Sequence, residues 1–353
     1  MRNSISRVYA QGDAFSMGFA LGKASGIHFE ERTMRTEEFQ ALQRRWRNSD
    51  YVQNLESAAR AAYPRFVREI EGIAEGAGQD FQTVFLWNCR GDLQLPDNVS
   101  TITKNVAATG CTSILIPANG NEPAAIAHNE DGGVELLGAC SWVEARPDAG
   151  LAWSSFMYPC MLPGHTFGVN EAGVVQTINN IRARDLKPGV PRQIICRAVL
   201  EAADLDDAVN VLKRKDRASG FHHNLGEAKT GRLLSVEAPA SGCAVREPTS
   251  PQAHANHLLY SEFDTLEQTI SLSSRNRQEA AARMITEGLL TSGAETVLFE
   301  DTTPIHCDRD RRDDYAQTLA TSVFTLFPDR VEWRIHASPE QRNAIVGEMR
   351  LTG

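Results

Sequence analysis

The chain has 353 residues, 42% of them hydrophobic and 23% charged, and a formal net charge of −9, so it can bury a sizeable core as one large domain or two intimate ones. The acidic balance argues against binding nucleic acid or an anionic membrane, since counterion release and surface attraction both need a basic face. No apolar run approaches the ~20 residues of a membrane span and residues 1–22 lack the apolar centre of a secretory signal, which leaves a cytoplasmic protein with a small-molecule partner as the expectation.

In chain order, residues 36–62 and 65–78 carry apolar side chains at helical spacing, with Pro64 between them and Gly76-Ala77-Gly78 as a stop. A short helix follows over 81–89. Residues 96–109 are polar, rich in Asn and Thr, and read as an exposed connector. The texture then changes to short β-branched and aromatic runs, at 112–116, 124–129, 140–144, 151–157, 166–169 and 174–178. Two helices are expected at 191–203 and, after a capping Asp204, at 205–213. Strands at 225–228, 233–237 and 243–246, a helix at 275–287 and two closing strands at 322–327 and 331–335 complete the pattern. Such an order suggests antiparallel sheets sandwiched by helices.

Seven cysteines (Cys89, Cys111, Cys140, Cys160, Cys196, Cys243 and Cys307) are scattered without a Cys-x-x-Cys pair, which points to free thiols, mostly buried filler, and not to a zinc cage or a disulfide framework. Cys111 stands apart. It opens the run Gly110-Cys111-Thr112-Ser113, and a second run ends in His128-Asn129-Glu130-Asp131. Asn119-Gly120 between the two is a hairpin signal. A two-residue turn there places Cys111 opposite His128, whereas a four-residue turn over 119–122 places it opposite Glu130. Either way a thiol meets a polar cluster, a poor environment for core filler.

Gly110 lacks the Cβ that would obstruct attack on its own carbonyl, so Gly110-Cys111 at the edge of an exposed connector is a candidate self-cleavage site. The Cys111 sulfur would attack the Gly110 carbonyl, and water would then release a free α-amine on Cys111. An α-amine titrates near ~8, so a useful fraction is unprotonated near neutral pH and can act as general base for its own thiol.

The strings Gly-Cys-Thr-Ser and His-Asn-Glu-Asp resemble the N-terminal-nucleophile hydrolases of the penicillin acyltransferase type, the family that also contains insect N-β-alanyl-dopamine hydrolase. The choloylglycine hydrolases are more distantly similar. Further parallels are the run Glu71-Gly72-Ile73-Ala74-Glu75-Gly76-Ala77-Gly78, the run Gly168-Val169-Asn170-Glu171-Ala172-Gly173, the strand ending at Asn179, and His254-Ala255-Asn256-His257. The resemblance implies a four-layer αββα fold of two antiparallel sheets between helical layers. Residues 1–110 would form a helical leader that stays associated after cleavage, and residues 111–353 the catalytic core.

It also implies Cys111 as nucleophile, Asp131 as the acid orienting the new amino terminus, and Asn256 as oxyanion donor. Ser113 would serve maturation and Asn179 would line the site, with His128 and Asn129 supporting. No cofactor and no metal are implied. The chain departs from the family where Gln317-Thr318 replaces a Ser-Arg pair and where no site serine follows Glu237 cleanly, which speaks against a penicillin-like substrate.

The leading expectation is therefore a self-maturing cysteine amidohydrolase that cleaves a small N-acyl amine or amino-acid conjugate through a thioester. Acyl transfer from a coenzyme A thioester or an amide to an amine is the alternative. An unprocessed binding protein and a Cys-His protease are further readings, and a homo-oligomer is compatible with all of them. Plainer roles also exist: His128 as a hydrogen-bonded strand residue, Asp131 as a turn former before Gly132-Gly133, Asn256 as a satisfied amide. The spacings His254/His257 and His222/His223 look metal-like, but alternation along a strand sends such pairs to different faces. The run from Asp308 to Asp314 reads as a solvated loop, and Trp142, Trp153, Phe156 and Tyr158 as core, with an acyl or amine pocket lined by some of them as the alternative.

Overall fold

Two β-sheets and the helices over their outer faces make up the computed structural model, which describes residues 4–93, 110–302, 305–307, 316–339 and 344–352. Strand β1 (Ser6–Gly12) leads into helices α1 (Ala14–Glu31), α2 (Glu37–Trp46), α3 (Asp50–Ala62), α4 (Pro64–Gly76) and α5 (Phe81–Asn88). The next strands are β2 (Thr112–Ile116), β3 (Ala124–Gly133), β4 (Ser141–Pro147), β5 (Trp153–Met157), β6 (Phe167–Asn170) and β7 (Val174–Asn180). After α6 (Arg192–Val199) and α7 (Leu205–Leu212) come β8 (Phe221–Glu227), β9 (Arg232–Ala238), β10 (Ala244–Arg246) and β11 (Gln252–His254). Helices α8 (Leu272–Thr286) and α9 (Ala294–Leu298) precede β12 (Ala316–Phe327), β13 (Arg330–His336) and β14 (Ile345–Arg350).

One sheet runs β1-β4-β5-β6-β7-β8-β9-β10 and the other β11-β2-β3-β12-β13-β14. Helix α1 lies on the first sheet through β1 and β4, while α8 and α9 cover β11, β3 and β12 of the second. The sheets meet face to face through β2 and β3 against β7 and β8. This is the four-layer αββα sandwich.

Alternation along β3 shows how the layers are glued. Ile126 joins the apolar core between the sheets, together with Trp142, Phe156, Phe167 and Phe324, whereas Ala127 joins a separate cluster with Ala280, Met284, Val297 and Leu298 of the outer helices. Adjacent side chains point to opposite faces of a strand, so each strand of this sheet serves two layers.

Four local expectations are corrected. The leader expected to be helical over 1–110 opens on a strand, and the first sheet is mixed where antiparallel was expected, since β1 pairs parallel with β4; with only Ala10 buried in it, β1 lacks the apolar alternation that betrays a strand. The helix expected over 36–62 is two, broken where Asn48 takes φ 63° and Ser49 caps α3 by accepting from the Val52 amide at 3.3 Å. A third closing strand, β14, pairs with β13. The turn after β2 is also displaced, as described below. The connector over 96–109 and the run from Asp308 to Asp314 lie outside the described residues.

The segments on either side of position 110 share one core. Helices α1 and α4 approach so closely that a Cβ on Gly22 would lie 2.0 Å from the Ile73 carbonyl oxygen and one on Gly72 would lie 2.2 Å from that of Phe15. From α4, Glu69 then reaches Arg197 on α6. The guanidinium donates from Nε to Glu69 Oε2 at 3.1 Å and from Nη2 to the same carboxylate at 3.1 Å, with Glu201 2.8 Å from its remaining nitrogen. Phe66 and Trp153 flank the same cation. Both charges are sealed from water, so removing one strands the other. Glu69→Ala should cost about 3–5 kcal/mol of stability, read as a lower urea midpoint; an unchanged midpoint would contradict a charged pair.

Candidate active site

The β2–β3 hairpin sets the register of everything at this site. Asn119 and Glu122 exchange backbone hydrogen bonds of 3.1 and 2.9 Å across the turn, so Gly120 and Asn121 are its central residues. Gly120 takes φ 58° at the first of them, where a tight hairpin turn favours glycine. The two-residue turn over Asn119-Gly120 is thus not formed, because Asn119 stays in the ladder. Thr112 pairs with Asn129 and Ser113 with His128, and the next step sets Cys111 across from Glu130.

On the face between the sheets, Cys111 is only 6% exposed, yet it belongs to none of the apolar clusters that absorb Cys89, Cys140, Cys160 and Cys196. Its Sγ lies 3.6 Å from Glu130 Oε2. The same carboxyl oxygen is 2.9 Å from His128 Nε2, and Tyr158 donates its hydroxyl to Oε1. His128 Nδ1 is 2.7 Å from Ser113 Oγ, which lies 2.8 Å from Asn179 Oδ1.

Proton counting orders this chain. Asn179 Nδ2 donates to the His254 carbonyl at 3.1 Å, which fixes its amide and aims Oδ1 at Ser113, at Asn224 Nδ2 (2.9 Å) and at His222. Ser113 therefore donates its one proton to Asn179 and accepts from His128 Nδ1, leaving Nε2 to share a proton with Glu130. Burial, reinforced by Glu130 and Asp131, pushes the Cys111 thiol well above its ordinary value. The neutral thiol is therefore the resting form, and any nucleophilic role would need a base to remove its proton.

The other face of the hairpin holds the clamp. Arg277 of α8, fully buried, donates to the Cys111 carbonyl at 2.6 Å, to Thr112 Oγ1 at 2.9 Å and to Asn256 Oδ1 at 2.6 Å. Asn256 Nδ2 donates to the Asn180 carbonyl at 3.0 Å. Gly110 sits against this pair so tightly that a Cβ would fall 2.1 Å from Asn256 Oδ1 and 2.6 Å from Arg277 Nη2. Cys111 is thus held through its own carbonyl by Arg277 and Gly110 is packed against Asn256, while the Cys111 thiol faces Glu130.

Of the residues singled out in the sequence, Cys111, Ser113, His128 and Asn179 converge on the face between the sheets, with Gly110 and Asn256 at its end. Asn129 and Asp131 point the other way. Asn129 donates to the carbonyls of Leu298 (2.7 Å) and Ile305 (3.1 Å) and accepts from Thr321, tying β3 to the outer layer. Asp131 accepts from Thr318 at 2.6 Å, with Cys307 Sγ at 3.7 Å.

Three participants were not singled out. Glu130 was legible, since the four-residue turn puts it opposite Cys111. Tyr158, read as core, is buried but spends its hydroxyl on Glu130. Arg277 gave no signal, being one arginine within a helical pattern.

His254 and His257 diverge, to Glu237 and to Ser274. His222 stacks on His254 at 3.3 Å, and burial, followed by His254, drives its pKa well down. Among the described residues, the donor atoms of Cys111, His128 and Glu130 lie within 4.8 Å of one another. These groups bond one another and Tyr158 and Ser113. No described helix is long and apolar enough to cross a membrane.

Residues 118–340 match the family described as acyl-coenzyme A:6-aminopenicillanic acid acyl-transferase. The chain belongs to that family. The matched span takes in Asp131, Asn179 and Asn256 and begins beyond Cys111 and Ser113. The β-alanyl-dopamine/carcinine hydrolase of Drosophila melanogaster is 29% identical to this member of the acyltransferase family over 227 residues, which are 60% of this chain and 58% of that protein. A penicillin V acylase from Agrobacterium tumefaciens superposes with a TM-score of 0.35 at 11% identity, over 66% of this chain and 84% of its own.

Burial holds the Asp131 carboxyl up at about 7, against the opposing pull of Arg277 and Thr318. Between about 4 and about 7 the folded state keeps a proton that the unfolded chain has lost, so stability falls as pH rises through that window and levels above it. Asp131→Asn should flatten this decline, with a melting-temperature gain over wild type that is larger at pH 8 than at pH 4. Equal gains at both would contradict a protonated, buried Asp131.

Proposed function

We propose that this protein is a self-maturing cysteine amidohydrolase of the acyltransferase family, acting on small N-acyl amines or amino-acid conjugates. The observation that carries the reading is the setting of Cys111, whose thiol lies 3.6 Å from a carboxylate, whose carbonyl is bonded by Arg277, and whose neighbour Gly110 packs against Asn256. Family membership supports acyl chemistry, and β-alanyl-dopamine, named for the relative's substrate, is itself an N-acyl amine.

In this reading Cys111 Sγ adds to the Gly110 carbonyl, the C–N bond breaks to leave a thioester and the free Cys111 α-amine, and water then releases the Gly110 carboxylate and the Cys111 thiol. Residues 1–110 remain as a leader held by the shared core, and 111–353 act as the catalytic part in the cytoplasm. Substrate then follows the same path. The α-amine takes the thiol proton, the acyl group passes to sulfur with loss of its amine, and water completes the cycle; covalent catalysis splits one hard step into two easier ones.

Asn256 is assigned the developing oxyanion. Its Nδ2 would have to turn from the Asn180 carbonyl to reach it, for a contribution on the order of 3 kcal/mol. Asp131, with Thr318, is assigned to orient the region of the new amino terminus from the outer face. The second reading, passage of the acyl group to an amine in place of water, is favoured by the family description itself.

The test compares wild type with Cys111→Ala and Cys111→Ser by intact mass and by hydrolysis of a panel of N-acyl amines. Wild type should split after Gly110, and Cys111→Ala should remain one chain with turnover reduced on the order of a thousandfold or more. Cys111→Ser should cleave slowly and turn over poorly. Turnover that survives Cys111→Ala would remove Cys111 as nucleophile. An uncut wild-type chain that hydrolyses substrate would remove the amine-base mechanism, and one that neither cuts nor hydrolyses would favour a binding protein.

A further inference from the structure

The proposed turnover uses an amine that does not exist until the chain has been cut. Before the cut, the nitrogen of Cys111 is an amide with no basic lone pair, so the maturation step needs another proton acceptor. Burial makes this need acute, because it holds the sulfur in its neutral form.

Among the described residues, few groups lie near that sulfur. His128 is turned away, with Nδ1–H engaged by Ser113 and Nε2 facing Glu130. Ser113 has given its proton to Asn179. Tyr158 donates to Glu130 Oε1, and its phenol is pushed well up by burial and by Glu130, so it is no acceptor. Asp131 lies on the opposite face, bonded to Thr318 and Cys307. Glu130 Oε2 remains, 3.6 Å from Sγ; with the shared proton on His128 Nε2 it accepts that N–H through one lone pair and keeps another for the thiol.

We infer that Glu130 is the general base of self-cleavage, supported by His128 and Tyr158, and that the liberated α-amine takes over for turnover. This rests on the function proposed above. The thiol proton passes to Glu130 Oε2 as the S–C bond forms to the Gly110 carbonyl carbon. Glu130 returns that proton to the departing Cys111 nitrogen as the C–N bond breaks, leaving a thioester and a neutral amine. Water then adds to the thioester carbonyl, the C–S bond breaks, and the sulfur recovers a proton, so that one water is consumed overall. Glu130 ends the sequence as it began. His128 and Tyr158 act as positioning residues that hold the two carboxyl oxygens.

The inference separates two rates that a single shared base would tie together. In the full chain carrying Glu130→Gln, the half-time of cleavage after Gly110 is followed by gel and intact mass, and N-acyl amine turnover is expressed per cleaved chain. Cleavage should slow about 100-fold, at least tenfold more than turnover per cleaved chain. Cleavage at the wild-type rate, or equal losses in both, would overturn the assignment. Should the Gln variant fail to melt cooperatively, Glu130→Asp and Glu130→Asn make the same comparison at matched length. The carboxylate variant should cleave at least tenfold faster than the amide, and equal rates would overturn the inference. A wild-type chain that never cleaves would instead strike at the proposed function, so the two failures are distinguishable.

Discussion

A thiol and a carboxylate 3.6 Å apart, both sealed from water, form the contact around which this site is organised. Such a pairing is unfavourable for a thiolate, since two negative groups in a dry environment repel and neither gains hydration. It is favourable for passing a proton at the moment a bond forms to sulfur. The register of one hairpin decides which of these matters. A slip of one residue would turn Cys111 and Glu130 to opposite faces, and Asn119, Gly120 and Glu122 are what prevent it.

The hairpin serves two layers at once. Toward the first sheet it presents Cys111, Ser113, His128 and Glu130, which meet Tyr158, Thr177 and Asn179. Toward the outer helices it presents Thr112, Asn129 and Asp131, which meet Arg277, the Leu298 and Ile305 carbonyls, and Thr318. Cys111 and its neighbours are thereby held from behind by contacts on the far face of the hairpin, as a site built on rigid elements requires. The buried Glu69–Arg197 pair extends the same logic to the segment before position 110, anchoring α4 to α6 with two charges that neither partner can shed without cost.

How much of this was legible in the sequence depends on the range of the interaction that fixed each part. Strand β2 was read to the residue, because its apolar run is bounded by Gly110-Cys111 on one side and turn residues on the other. The hairpin left two registers open, since Asn119-Gly120 is a legitimate turn by itself and only the ladder, which keeps Asn119 paired, chooses between them. Strand β1 was invisible because it borrows its stability from β4, more than a hundred residues away, and buries little of its own. The same holds for Arg277, whose guanidinium reaches Cys111, Thr112 and Asn256, while its own helix offers a sequence reader only a cation among other cations. Asn129 stands next to the site in sequence but, by strand alternation, on the wrong side of it.

The claim on which the account turns is that Cys111 bears both the sulfur and a free α-amine in the active protein. A cyanobenzothiazole probe condenses stably only with such a 1,2-aminothiol, and peptide mapping of the labelled, active enzyme locates it. The account predicts a single label on the peptide that begins at Cys111, with activity lost in proportion to labelling. Fully active protein that takes up no label, with position 111 still inside an unbroken backbone, would contradict it.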